Sequence, residues 1–200
     1  MAGTGMLMTA DELLGYEVPG KRTELRRGHL LVHEPPGFEH ADIVARITTA
    51  LVLHVRASTP PLGRVVAGDP GFRLERNPDT VRAPDVAFVG RNRLPPGPVR
   101  GFADFVPDLA VEVRSPSDRT GELLVKVGDW LNAGVALLWV IDPVRRCAQV
   151  YRPDGLVTIL GESETLMGET VLPGFTLALS TLFDDDEAGR VRHLRFTRAQ

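Results

Sequence analysis

The longest periodic stretch of the chain runs from Phe38 to Ala57. At about 100° per residue, His40, Ile43, Val44, Ile47, Leu51, His54 and Val55 fall within one arc of roughly 120°. That stripe predicts an amphipathic helix with its apolar side on a core, ended by Pro60-Pro61. A second helix is expected over 120–132, where Leu123, Leu124, Val127, Trp130 and Leu131 form the apolar arc and Gly134 supplies the stop. Thr9 before Ala10-Asp11-Glu12-Leu13-Leu14 combines an N-cap with an acidic first turn and predicts a short first helix.

Elsewhere the apolar runs are short. DVAFV (85–89), LAVEV (109–113) and ALLWVI (136–141) read as strands, and the unbroken third is expected to be central and buried. Residues 24–33 alternate loosely around Gly28 and suggest a strand or hairpin. Short strands are expected at 64–67 and 72–75, followed by a turn at Asn77-Pro78-Asp79. Residues 147–151 and 156–160 look like a hairpin around Pro153-Asp154-Gly155, and the proline-rich span 90–107 is a loop. The implied fold class is α+β (mixed α/β): a central mixed sheet holding 85–89, 109–113 and 136–141, flanked by the helices near 38–57 and 118–132, with added β-hairpins.

Length and composition narrow the picture further. Two hundred residues predict one domain over 1–200, with a core at about 8–183 and a tail at 184–200 that is first acidic, then basic. Cys147 is the single cysteine, which excludes an internal disulfide framework and a cysteine-ligated zinc site. No apolar run reaches the roughly 18 residues of a membrane span, and the N-terminus lacks a basic, apolar leader pattern, so a cytoplasmic protein is expected. The net charge of −3 argues against a non-specific nucleic-acid coat, but not against an enzyme with a local basic patch. Of 23 basic residues only Lys21 and Lys126 are lysines, which makes each of them conspicuous.

Candidate chemistry follows from pairing DVAFV with LAVEV. As antiparallel neighbours they bring Asp85, at the start of one strand, beside Glu112, near the end of the other. Two adjacent carboxylates in apolar surroundings repel and are costly to bury. A hard divalent cation, Mg²⁺ or Mn²⁺, resolves that repulsion. The period-two rule puts Arg114 on the same face as Glu112. Lys126, at the border of its helix's apolar arc, can reach over the sheet edge toward both acids. From that border position its removal is expected to leave stability nearly unchanged. Asp, Glu and Lys around a metal suit phosphodiester hydrolysis, with the cation activating water and the ammonium steadying developing charge. His54 reads as structural, and Ser115 and Ser117 as turn and cap residues.

The segments RAPDVAFVG, LAVEVRSPSDRTGELLVKVGDWLNAGVALLWVIDP, VYRPDG and LPGFTLALSTLF, with the upstream ELRRGHLLVHEPPGFEH, resemble the Uma-two family of restriction-endonuclease-like proteins over about residues 8–183. The resemblance implies the PD-(D/E)XK nuclease fold, with Asp85 and Glu112 as its acids. Arg114 stands at the usual lysine position and is a candidate phosphate contact, and the lysine is displaced to Lys126. Glu24 matches an upstream acid able to complete the metal shell, His40 the helix-opening histidine, and Trp130 replaces a common tyrosine. The leading expectation is a Mg²⁺- or Mn²⁺-dependent nuclease acting on nucleic acid, DNA before RNA, as a homodimer joined through an edge strand such as 147–151. The alternatives are a non-catalytic nucleic-acid- or protein-binding module with the same fold, and a hydrolase of another phosphate ester.

Overall fold

The computed structural model of the chain describes residues 7–115 and 118–183. The tail at 184–200 and Ser117, both assigned a character from sequence, lie outside the described residues. The N-terminal half contains α1 (Ala10–Leu14), the hairpin β1 (Arg22–Arg26) and β2 (His29–His33), and α2 (Phe38–Ala57). It continues with β3 (Gly63–Ala67), β4 (Phe72–Glu75), β5 (Thr80–Arg82) and β6 (Val86–Gly90). Next come β7 (Leu109–Val113), α3 (Thr120–Ala133), β8 (Leu137–Asp142), β9 (Cys147–Tyr151) and β10 (Val157–Gly161). The small elements β11 (Thr165–Met167), β12 (Thr176–Ala178) and α4 (Ser180–Phe183) complete the order.

Six strands form the main sheet, in the order β10-β9-β8-β7-β6-β3. Only β7 and β8 are parallel, and α3 is the crossover between them. Alternation along the central strands sorts side chains onto two faces. Val86, Phe88, Leu109, Val111, Leu137, Trp139 and Ile141 pack with Ile43, Ile47, Leu51 and Val55 of α2. Ala87, Val89, Ala110, Leu138 and Val140 pack with Val127 and Trp130 of α3. Burial on both faces explains why 137–142 is almost wholly apolar. Gly134, in the left-handed region at φ 93°, ends α3 as its sequence position implied.

Three features depart from expectation. The strands do not join one sheet: β2-β1-β5-β4 form a separate four-stranded sheet, and β11-β12 a two-stranded one. The three-residue β5 follows a turn and is too short to show a period; it forms because β1 and β4 flank it. Strand 147–151 is not an edge, since β9 is paired to β8 on one side and β10 on the other, which moves the exposed edge to β10.

Gly63, the first residue of β3, has no room for a side chain. A Cβ there would meet the Val89 carbonyl oxygen at 2.1 Å and Gly90 Cα at 2.9 Å, both backbone atoms that cannot swing aside. Gly63→Ala should therefore open the β3–β6 pairing and lower stability by about 1–3 kcal/mol or more. Urea denaturation of the two proteins checks this, and an unchanged midpoint would contradict it.

Candidate active site

Register sets the two acids opposite one another. Val86 faces Val111 and Ala87 faces Ala110 in the antiparallel β6–β7 pair. One further step puts Asp85 across from Glu112. Asp85 continues the ladder with its side chain: Oδ2 accepts the Val113 N–H at 2.7 Å. The same oxygen lies 3.3 Å from His40 Nε2, carried by the first turn of α2. Oδ1 lies 3.5 Å from Arg22 of β1.

Glu112 is held from α3. Lys126 and Trp130 are four residues apart and so share a helix face. The Trp130 indole N–H donates to Glu112 Oε1 at 2.8 Å, and Lys126 Nζ donates to Oε2 at 2.8 Å. Lys126 also donates to the Ala83 carbonyl at 2.9 Å and lies 3.0 Å from Glu24 Oε1. Glu24 in turn accepts the Ala83 N–H at 2.9 Å and an Arg82 N–H at 2.6 Å, and Arg82 runs on to Asp129 of α3 at 2.6 Å. Asp85, Glu112, Glu24, Lys126 and His40 thus line a single cavity of about 610 Å³.

Arg114 does not join them. It follows the last residue of β7, and its guanidinium is committed to Asp142 at the end of β8, at 2.7 Å. It is not among the cavity-lining residues, so the same-face argument placed it too close to Glu112. The cavity cations are instead Lys126, Arg22, Arg26 and Arg82. Arg22 Nε is buried with no hydrogen-bond partner, a donor left unspent beside the acids. Arg22 and His33 were legible in principle: a tight hairpin at Arg27-Gly28 pairs residue 22 with residue 33, and β1 places Arg22 in step with Glu24.

Lys126 differs from expectation in its energetics. It is not a border residue free of consequence: its ammonium lies between two buried carboxylates, and its removal leaves Glu112 without its counter-charge and Glu24 with Arg82 alone. Such losses cost about 3–5 kcal/mol. His54 is structural, as expected, bonding to the Pro173 carbonyl and meeting Phe175 edge-on.

The titration behaviour follows from the same contacts. Burial pushes Glu112 upward, and Asp85 and Glu24 add to the push against the attraction of Lys126, for a result of about 7. Burial also opposes the charge on Glu24, but Lys126, His33, Arg82 and the Ala83 amide hold it well below the carboxylate range. Asp85 is lowered against its burial by His40, Lys126 and the Val113 amide, and His40 is raised against its own burial by Asp85. Burial pulls Lys126 down, but Glu112, Glu24 and Asp85 outweigh it and keep the ammonium charged.

These donors fit a hard divalent cation in chemistry. Three carboxylates share one cavity, and a cation between Asp85 and Glu112 would relieve the crowding that pushes Glu112 upward. Asp85 and Glu112 are the fitting pair. Glu24 is already paired with two cations, Lys126 and Arg82, and accepts the Ala83 N–H as well, whereas Glu112 meets one cation, Lys126, and the neutral Trp130 indole. Accordingly, among the described residues, no three His, Cys, Asp or Glu groups converge at metal-ligand spacing.

Residues 10–180 match the Uma2 family, described as "Putative restriction endonuclease". The chain belongs to this family. No curated protein matches it. A solved structure from Anabaena variabilis, described as a "putative nuclease belonging to DUF820", superposes with a TM-score of 0.77 at 19% identity, covering 88% of this chain and 97% of that one. At that identity the likeness speaks to the fold, which this Uma2 protein therefore shares with a nuclease-like relative.

The raised Glu112 carries a stability signature. Its folded value is about 7 against an ordinary 4.5, so between those values the folded state binds the extra proton. Its contribution is present at low pH and lost as pH rises through 7, and the raised His40 acts with the same sign. Metal-free protein should thus lose stability between about pH 4.5 and about pH 7, and Glu112→Gln should flatten most of that fall. Urea midpoints across this range check it; an identical fall in the variant would contradict the assignment.

Proposed function

We propose that this Uma2 protein is a cytoplasmic, divalent-metal-dependent nuclease that hydrolyses phosphodiester bonds in DNA. The observation that carries the reading is the meeting of Lys126 with Glu112 in the cavity that also receives Asp85. Asp85 and Glu112 would hold Mg²⁺ or Mn²⁺, which supplies an activated water and screens the phosphate when bound. Lys126 supplies the donor for charge developing on the scissile phosphate. Glu24 and Ala83 aim its ammonium, and Arg82 fixes Glu24 in turn. His40 and the Val113 amide fix the Asp85 rotamer, and the Trp130 indole fixes Glu112. Arg22, which lines the cavity where Arg114 does not, takes over the phosphate-contact part, although its Nη1 is also paired with Asp69 at 2.8 Å.

A second reading has one observation in its favour. Lys126 already neutralises Glu24 and Glu112, so the cluster would serve equally well as a fold-stabilising joint in a non-catalytic binding module.

Metal-dependent cleavage decides between them. With Mg²⁺ or Mn²⁺, Asp85→Ala and Glu112→Gln should abolish cleavage of DNA and metal binding by calorimetry. Lys126→Ala should slow cleavage by about two or more orders of magnitude, and Lys126→Arg should recover little, because a guanidinium needs a wider fork. The Lys126→Ala protein should also unfold at lower urea, as its paired carboxylates require. Cleavage at the parent rate in all variants would favour the binding module.

Homodimerisation would fall to β10, where Val157 and Ile159 are exposed on the outer strand of the main sheet. Sedimentation should show a concentration-dependent dimer that Ile159→Lys weakens; a monomer at all concentrations would overturn it.

A further inference from the structure

The cavity has a second wall that the hydrolytic chemistry leaves unused. The same lining includes Leu14, at the end of α1, Tyr16 just beyond it, and Phe102 from the loop after β6. Leu14 and Tyr16 are 56% and 42% exposed, a large apolar investment beside a charged floor. The wall is built deliberately. Phe102 sits over Gly71, where any Cβ would come within 2.2 Å of its ring. Gly101 lets the loop pass under Leu14, at a φ of 69°. α1 is fastened by its capping box, by the Ala10 N–H to Asp79 at 2.7 Å, and by Arg73 to Asp11 at 2.8 Å.

The acids are deep. Asp85 and Glu112 are each 6% exposed and Glu24 is 3% exposed, in the lining of a hollow of about 610 Å³. A hollow of that size suits a ligand of a few hundred daltons, such as one nucleotide with its flanking phosphates. Duplex DNA is stiff over about 150 base pairs and keeps its bases stacked inside. A paired strand therefore has no free base face to lay on the apolar wall. A separated strand has a bare base face to place there.

We infer that the cavity takes single-stranded DNA, seating one unpaired base against Leu14, Tyr16 and Phe102 while its phosphate reaches the acid floor. The inference rests on the nuclease reading of the same site. Tyr16 supplies the stacking ring and Leu14 the adjoining apolar surface. The side chains of Arg22 and Arg26, also in the cavity lining, face the backbone of the strand.

The test uses the full chain and a short oligodeoxynucleotide carrying one 2-aminopurine, in calcium-containing buffer. The single strand should bind at least about tenfold more tightly than the blunt duplex of the same sequence, with quenched 2-aminopurine fluorescence. Tyr16→Ala should weaken single-strand binding by about 5- to 100-fold and remove the quench, and Tyr16→Phe should retain both. Leu14→Ser should weaken it in the same direction. Equal affinity for the duplex, absence of quenching, or a Tyr16→Ala protein that binds like the parent would each overturn the inference. Quenching that depends on Tyr16, in a protein that cleaves nothing with Mn²⁺, would overturn the nuclease reading and leave the base pocket standing. Cleavage of duplex as fast as single strand, unaffected by Tyr16→Ala, would do the reverse.

Discussion

One buried ammonium joins the two larger sheets. Lys126 of α3 touches Glu112 from the main sheet, Glu24 from the four-stranded sheet and the carbonyl of Ala83 between them. Arg82 extends the joint from β5 to Asp129, back on α3. Each charge is tolerable in the interior only because the others are there, since removing one member of a buried pair costs about 3–5 kcal/mol. The cavity exists because the two sheets meet along this seam rather than fuse. The acids stay buried without collapsing together because cations from three different elements stand between them.

Much of this arrangement could be read from the chain. The stripe from Phe38 to Ala57 and the run LAVEV agree with α2 and β7 residue for residue. The juxtaposition of Asp85 with Glu112 follows from nothing more than antiparallel pairing of neighbouring strands. These features are legible because burial on one or both faces leaves a strong period. The four-stranded sheet was not legible as a unit. β5 is three residues long and contains Arg82, whose charge reads as surface until Glu24 and Asp129 are known to meet it.

Side-chain commitments were the least legible. The period-two rule gave a direction for Arg114 but could not foresee Asp142 at the end of the parallel neighbour. Trp130 looked like a volume substitution in an apolar arc, yet its N–H is one of two donors that fix Glu112. The depth at which Lys126 is enclosed was likewise hidden, because an apolar arc describes one helix and the carboxylates come from two other elements. The apolar wall was invisible for a similar reason: Phe102 is distant in sequence from Leu14 and Tyr16, and the three come together only in the lining of the folded cavity.

The crossover between β7 and β8 has a consequence for chain length. Glu112 lies on a strand and Lys126 on the helix that follows, with residues 114–119 between them. An insertion in that connection changes only the path to the helix, and the ammonium still returns to the carboxylate. An insertion inside α3 between Lys126 and Trp130 would instead rotate one against the other by about 100°. It would take the ammonium off the helix face it shares with the Trp130 indole. In relatives of this chain, therefore, the count of residues from acid to lysine is free to drift, whereas the four-residue step from lysine to its aromatic partner is not.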